Sequence, residues 1–75
     1  MLHLGGGEYL AREQVVLIAR PGSAPLKRLI RHYAMEEKVI DLTHGRRTRA
    51  VIFTAAGFLV LSPLRPQTLA KRLLA

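Results

Sequence analysis

Six consecutive residues, His44-Gly45-Arg46-Arg47-Thr48-Arg49, are the part of this sequence best suited to binding chemistry. Arg46, Arg47 and Arg49 lie within four positions of one another. A guanidinium group is a planar fork that donates paired, charge-assisted hydrogen bonds to phosphate. The segment therefore predicts a contact with a phosphate-bearing ligand, and we expect that ligand to be a nucleic-acid backbone. A solvated hairpin tip has the same composition, so the motif alone leaves both interpretations open.

The residues that flank this arginine segment predict a β-hairpin. Residues 39–43 and 47–54 are both rich in β-branched and apolar side chains, which favour strands. A three-residue connection, 44–46, keeps one face of the hairpin apolar, and that face carries Ile40, Leu42, Ala50 and Ile52. The same register places Asp41 opposite Arg49, which predicts an ion pair between them.

Hydrophobic patterning along residues 1–75 predicts a single α+β domain. We expect a small twisted sheet, antiparallel or mixed, of about five strands. Besides the hairpin, strands are predicted at 2–4, 8–10, 14–19 and 58–62. The strand at 14–19 consists mostly of branched apolar residues, so we expect it to be buried.

Two helices complete the predicted domain. The main helix is expected over about residues 24–37, because Ser23 is a suitable N-cap and Pro25 is tolerated in the first turn. Its apolar residues recur at helical spacing and form one stripe, namely Leu26, Leu29, Ile30 and Tyr33. A short C-terminal helix is expected over about residues 67–74, with Leu69 and Leu73 four positions apart.

The charge balance indicates an anionic partner. Lysines and arginines number 12 against 5 acidic residues, for a formal net charge of +7. Absence of cysteine excludes disulfides and thiolate metal sites, and favours a cytoplasmic location. No apolar run approaches the ~20 residues of a membrane span, so no membrane partner is expected. The hydrophobic fraction is 49%, and a chain this short leaves part of its apolar surface uncovered. We therefore expect a homo-oligomer.

No group of residues predicts catalysis, a metal site, a cofactor or a small-molecule ligand. The histidines His3, His32 and His44 are scattered, and the acidic residues are too few and dispersed for acid–base pairs. The four aromatic residues stand at core-like spacings and are interpreted as packing residues, namely Tyr9, Tyr33, Phe53 and Phe58. This interpretation argues against a base-stacking platform for single strands.

Several long motifs resemble those of the RemA/RemB family of small bacterial regulators of extracellular-matrix genes, and RemA more closely than RemB. The resemblance runs along nearly the whole chain. It is carried by Gly5 and Gly7, by Pro21 and Ser23-Ala24-Pro25 with Lys27-Arg28, by Ile40-Asp41, by Gly45-Arg46-Arg47-Thr48-Arg49-Ala50-Val51, by Leu61-Ser62, and by Pro66, Thr68, Ala70 and Arg72-Leu73.

The resemblance implies a transcriptional activator of biofilm matrix genes that forms a closed ring, octameric in the family, and binds duplex DNA on the nucleoid. Arg46 and Arg47 match the arginines of the family that contact DNA, whereas Gln14 stands where RemA has a further functional arginine. Arg12 or Arg20 could substitute for that arginine, but neither occupies the matching position. We expect further DNA contacts from Arg49, Arg12, Lys27 and Arg28. The basic residues also suit two alternatives, a ring that docks acidic partners and a nucleoid-associated protein that organises DNA.

Overall fold

Six strands and two helices follow one another along residues 1–75, all of which the computed structural model describes. The strands are β1 (Leu2–His3), β2 (Tyr9–Leu10), β3 (Val15–Ala19), β4 (Val39–Asp41), β5 (Ala50–Thr54) and β6 (Leu59–Ser62). The helices are α1 (Ala24–Met35) and α2 (Pro66–Leu74). The α+β prediction is confirmed, but the strands form two sheets, one of two strands and one of four. No helix is both long enough and apolar enough to cross a bilayer.

The four-stranded sheet has the order β3-β5-β6-β4. Strand β5 pairs antiparallel with both β3 and β6, while β4 pairs parallel with β6, with Ile40 beside Val60. The predicted hairpin of residues 39–43 and 47–54 is therefore wrong, because β6 separates β4 from β5. Three consecutive residues of β5 are fully buried, so this strand needs a neighbouring strand on each edge. The short turn after β5 brings β6 to one of these edges.

The apolar core lies on both faces of this sheet. Along β5, successive side chains alternate between the two faces, as the strand period requires. Ala50 and Ile52 pack in one cluster with β1 and α2, where Leu2 and Leu69 are buried. Val51 packs on the opposite face in a second cluster with Leu59 and with Leu26 of α1. Helix α1 thus covers one face of the sheet, and α2 with the β1–β2 hairpin covers the other.

Burial differs from the prediction at the sheet edge and on α1. Strand β3 was expected to be buried, yet Val16 is 65% exposed and Leu17 52% exposed, because β3 is an edge strand with an irregular register at this point. In the predicted stripe of α1, Leu26 is buried and Ile30 and Tyr33 pack beside it, whereas Leu29 is exposed.

Two of the four aromatic residues pack together in the core, and the other two are exposed. Tyr33 and Phe53 meet edge to face with ring centroids 5.9 Å apart, which confirms their packing role. Tyr9 and Phe58 were also predicted to pack in the core, but both are exposed. Tyr9 lies on the two-stranded sheet and stacks on the His3 ring at 4.9 Å.

Candidate nucleic-acid interface

One end of the four-stranded sheet collects three chain segments that are distant in sequence. Ala19 at the end of β3 pairs with Val51 of β5, and Ala50 at the start of β5 pairs with Ser62 at the end of β6. Because β5 runs antiparallel to both neighbours, the residues after β3, before β5 and after β6 all emerge at the same end.

These segments enclose a cleft of about 330 Å³. We call it the arginine cleft, and it is lined by Arg20, Pro21, Arg47, Thr48, Arg49, Arg65, Pro66 and Gln67. All four arginines are exposed to solvent. The lining contains no acidic residue, and apart from the two prolines it contains no apolar side chain. The cleft is therefore a concentrated positive surface that is open to solvent.

The four guanidinium groups of the arginine cleft have no hydrogen-bond acceptor within the protein. The contacts between basic and acidic side chains involve histidines rather than arginines, namely His32 with Glu36 at 3.7 Å and His44 with Glu8 at 3.0 Å. By contrast, Arg12 donates to the Ala75 carbonyl oxygen at 2.7 Å, and Arg72 donates to the His3 carbonyl oxygen at 3.3 Å. The donors of the arginine cleft are thus available to an external anion.

Buried hydrogen bonds hold the walls of the cleft in place. The Arg49 N–H donates to the Ser62 carbonyl oxygen at 2.9 Å, which extends the β5–β6 ladder by one bond. The Ser62 hydroxyl is fully buried, donates to the Leu4 carbonyl oxygen at 3.2 Å and accepts from the Leu64 N–H at 3.2 Å. Ser62 therefore fixes the backbone that leads from β6 to Arg65.

A polar turn precedes the arginines. Asp41 Oδ1 accepts from the Thr43 hydroxyl at 2.6 Å and from the Thr43 N–H at 2.9 Å. These two bonds lower the pKa of Asp41. The predicted ion pair between Asp41 and Arg49 is wrong, because the carboxylate serves its own turn and β6 lies between the two segments.

The structure brings together only part of the predicted set of DNA contacts. Arg47 and Arg49 line the arginine cleft, and Arg46 lies just before them in the turn, exposed but outside the lining. Lys27 and Arg28 are exposed on α1 and do not line the cleft. Arg12 precedes β3, at the opposite end of that strand from Arg20.

Two further arginines line the cleft: Arg65 was not predicted to contact DNA, and Arg20 was considered only as a substitute for the arginine that Gln14 replaces. Each is an isolated basic residue beside a proline, so local charge density gives no signal. They lie in the same cleft as Arg47 and Arg49 only because Arg20 directly follows β3 and Arg65 precedes α2 after β6. Gln14 lies outside the cleft, and its side-chain oxygen accepts from the Ala56 N–H at 3.1 Å. It therefore supports the turn between β5 and β6.

Known proteins resemble this chain over almost its whole length. The family model described as "RemA-like: Extracellular matrix regulatory protein A-like" matches residues 1–73. Relatives named "Putative regulatory protein" occur in Thermosynechococcus vestitus, 47% identical over 73 residues (97% of this chain and 95% of that protein), and in Dehalococcoides mccartyi strain BAV1, 45% identical over 73 residues (97% and 76%). Another, from Geobacillus thermodenitrificans, is 42% identical over 72 residues (96% and 83%). These matches confirm the resemblance drawn from the motifs.

Proposed function

Because the chain belongs to the RemA-like family, we propose that it is a regulatory protein that binds duplex DNA and activates extracellular-matrix genes of biofilm formation. The regulatory role is supported by the names of its relatives. DNA is the target that best suits the charge distribution. Such a protein would act in the cytoplasm, on the nucleoid.

The arginine cleft is the observation that carries this proposal. Four guanidinium groups without protein partners face one opening at the end of the sheet. Phosphate groups are the anions that DNA offers in dense array, and each neutralised phosphate releases counterions. The net charge of +7 adds attraction at longer range. Contacts to phosphate position a protein on DNA without reading its sequence.

Sequence preference therefore requires a second source, and we propose self-assembly. Exposed apolar residues lie on both edge strands of the sheet, with Val16 and Leu17 on β3 and Ile40 on β4. A homo-oligomeric ring, octameric as in the family, would cover such surface. It would also repeat the arginine cleft around its rim, so that weak contacts multiply on long or bendable DNA.

The proposal is tested with the double substitution Arg46→Ala and Arg47→Ala. We expect the altered protein to lose binding to long duplex DNA in fluorescence anisotropy, with a shallower dependence of log Kd on log salt, because one guanidinium is lost from the arginine cleft and one from the turn just before it. Light scattering should show an unchanged oligomer. The matched control, Lys38→Ala with Lys71→Ala, removes two charges from exposed positions outside the cleft and should bind nearly as well as the unaltered protein. An unchanged salt slope in the arginine double variant would contradict the assignment.

Docking of an acidic protein is the second candidate function. The same guanidinium forks fit carboxylates as well as phosphates, so the lining of the cleft does not by itself choose between the two ligands. Competition at about 150 mM salt separates the candidates. Labelled duplex DNA should resist displacement by excess polyglutamate if DNA is the ligand, and long duplexes should bind more tightly than short ones.

A further inference from the structure

We infer that Arg20 and Arg65 bind the phosphodiester backbone of DNA and complete, with Arg47 and Arg49, a four-guanidinium phosphate site in the arginine cleft. This inference rests on the proposed function. It adds two residues from opposite sides of β5: Arg65, which no motif assigns to DNA, and Arg20, which occupies no position that matches a DNA-contacting arginine of the family.

The positive charge of the arginine cleft is not neutralised by any carboxylate in its lining. Like charges collected around one opening repel each other, and carboxylates on the protein ordinarily relieve such repulsion. No acidic residue lines this cleft, and none of its arginines takes part in an ion pair. An entering phosphate therefore relieves the mutual repulsion of all four guanidinium groups at once.

The lining identifies the chemical class of the ligand. Besides the arginines, it offers the hydroxyl of Thr48 and the amide of Gln67, both hydrogen-bond donors. It has no aromatic ring on which a base could stack, and its only aliphatic side chains are those of the two prolines. A phosphodiester chain fits this lining, whereas a nucleotide held by its base does not.

The two added arginines occupy firmly held backbone. Arg20 is followed by Pro21 and Arg65 by Pro66, and both prolines line the cleft. Proline fixes its own φ and restricts the residue before it, so little backbone entropy is lost when an anion binds. Helix α2 begins at Pro66, and its N-cap, Arg65, makes no side-chain capping bond. The positive end of α2 therefore adds to the field of the arginines.

The test compares two double variants of the full chain that each lose two positive charges. Arg20→Gln with Arg65→Gln alters the cleft, and Lys38→Gln with Lys71→Gln is the matched control at exposed positions outside it. Anisotropy with a labelled long duplex is measured across a salt series. We expect the cleft variant to bind about tenfold more weakly or worse, with a salt slope smaller by about two, and the control to change much less.

Further variants and a second probe separate the explanations. Arg20→Lys with Arg65→Lys keeps the charge but loses the paired donors, and intermediate affinity supports the site. Equal Kd and slope in the cleft variant and the control overturn this inference but leave the proposed function standing. Failure of the unaltered protein to bind duplex DNA contradicts the proposed function itself. Calorimetry with inorganic pyrophosphate tests whether the cleft binds a small phosphate compound instead of DNA. The inference is also overturned if the cleft variant alone loses saturable pyrophosphate binding but still binds DNA normally.

Discussion

Asp41 organises the turn that leads to the arginines. Its Oδ1 accepts from both the hydroxyl and the N–H of Thr43, a residue that is only 3% exposed. The two hydrogen bonds favour the charged carboxylate and lower its pKa, with a smaller contribution from His44, while partial burial opposes them. The Thr43 carbonyl oxygen in turn accepts from the Arg46 N–H at 3.0 Å. One carboxylate thus fixes the backbone that presents the basic residues.

The lowered pKa of Asp41 makes the stability of the domain depend on pH. Because the folded pKa lies below the ordinary 3.8, the contribution of Asp41 is present above that value and is lost as pH falls through the folded pKa. We expect Asp41→Asn to lower the free energy of unfolding at pH 7 and to flatten its decline in acid. Urea unfolding followed by circular dichroism at pH 7 and at about pH 3 measures both effects. Parallel pH profiles for the two proteins would contradict this role.

Helix α1 ends through a backbone motif rather than through its sequence pattern. The Lys38 N–H donates to the Tyr33 carbonyl oxygen at 2.9 Å, and the Glu37 N–H donates to the Ala34 carbonyl oxygen at 3.0 Å. This pair of bonds is the Schellman motif, which requires a left-handed residue. Glu37 takes that conformation with φ of 58°, so α1 ends at Met35, two residues before the predicted end.

Replacing Glu37 with glycine should stabilise the domain. A side chain in the left-handed region costs about 1 kcal/mol, and glycine removes that strain. We expect Glu37→Gly to raise the urea midpoint with an unchanged slope of the unfolding curve. The matched control is Glu36→Gly, where φ is −92°. Glycine there relieves no backbone strain, removes the 3.7 Å contact with His32 and adds flexibility to the unfolded chain. Stabilisation by both variants, or by neither, would contradict this explanation.

As a whole molecule, the domain leaves much apolar surface in water. Only 12 of 75 residues are buried, and large hydrophobic side chains are exposed on both edges of the four-stranded sheet. This confirms the expectation that the chain does not cover its own apolar residues. Open edge strands also carry unpaired backbone groups that a further chain can pair with. A homo-oligomer that covers these edges stays a prediction.

Assembly and DNA binding should weaken together when a sheet edge is altered. We expect light scattering to give the unaltered protein a mass several times that of the 8.4 kDa chain, and Leu17→Lys on β3 to reduce it because a charge is placed in the contact. DNA affinity should fall with it, since fewer clefts then act on one duplex. Met35→Lys, at an 84% exposed position on α1 rather than on a strand, is the control. A single-chain mass for the unaltered protein at all concentrations would refute the assembly.

Interactions between residues close in sequence made several helices and strands of this protein predictable. The Ser23 hydroxyl caps α1 by accepting from the Leu26 N–H, as predicted, and α2 agrees with the predicted helix to within one residue. The short strands β1 and β2 also lie within the predicted segments. Capping, turn formation and hydrophobic periodicity depend on residues a few positions apart. Arg47 and Arg49 were recognised for the same reason, because they are neighbours in sequence.

The tertiary structure alone decided which strands pair and which arginines meet. Strand β4 was predicted to pair with β5 because the two strands are consecutive in sequence. In the structure β6 lies between them and covers one edge of the buried strand β5. Arg20 and Arg65 follow different strands and carry no local signal. They reach Arg47 and Arg49 only because β3 and β6 run antiparallel to β5 and end beside its start. Pairing across long loops depends on how the whole core fills, and no short segment contains that information.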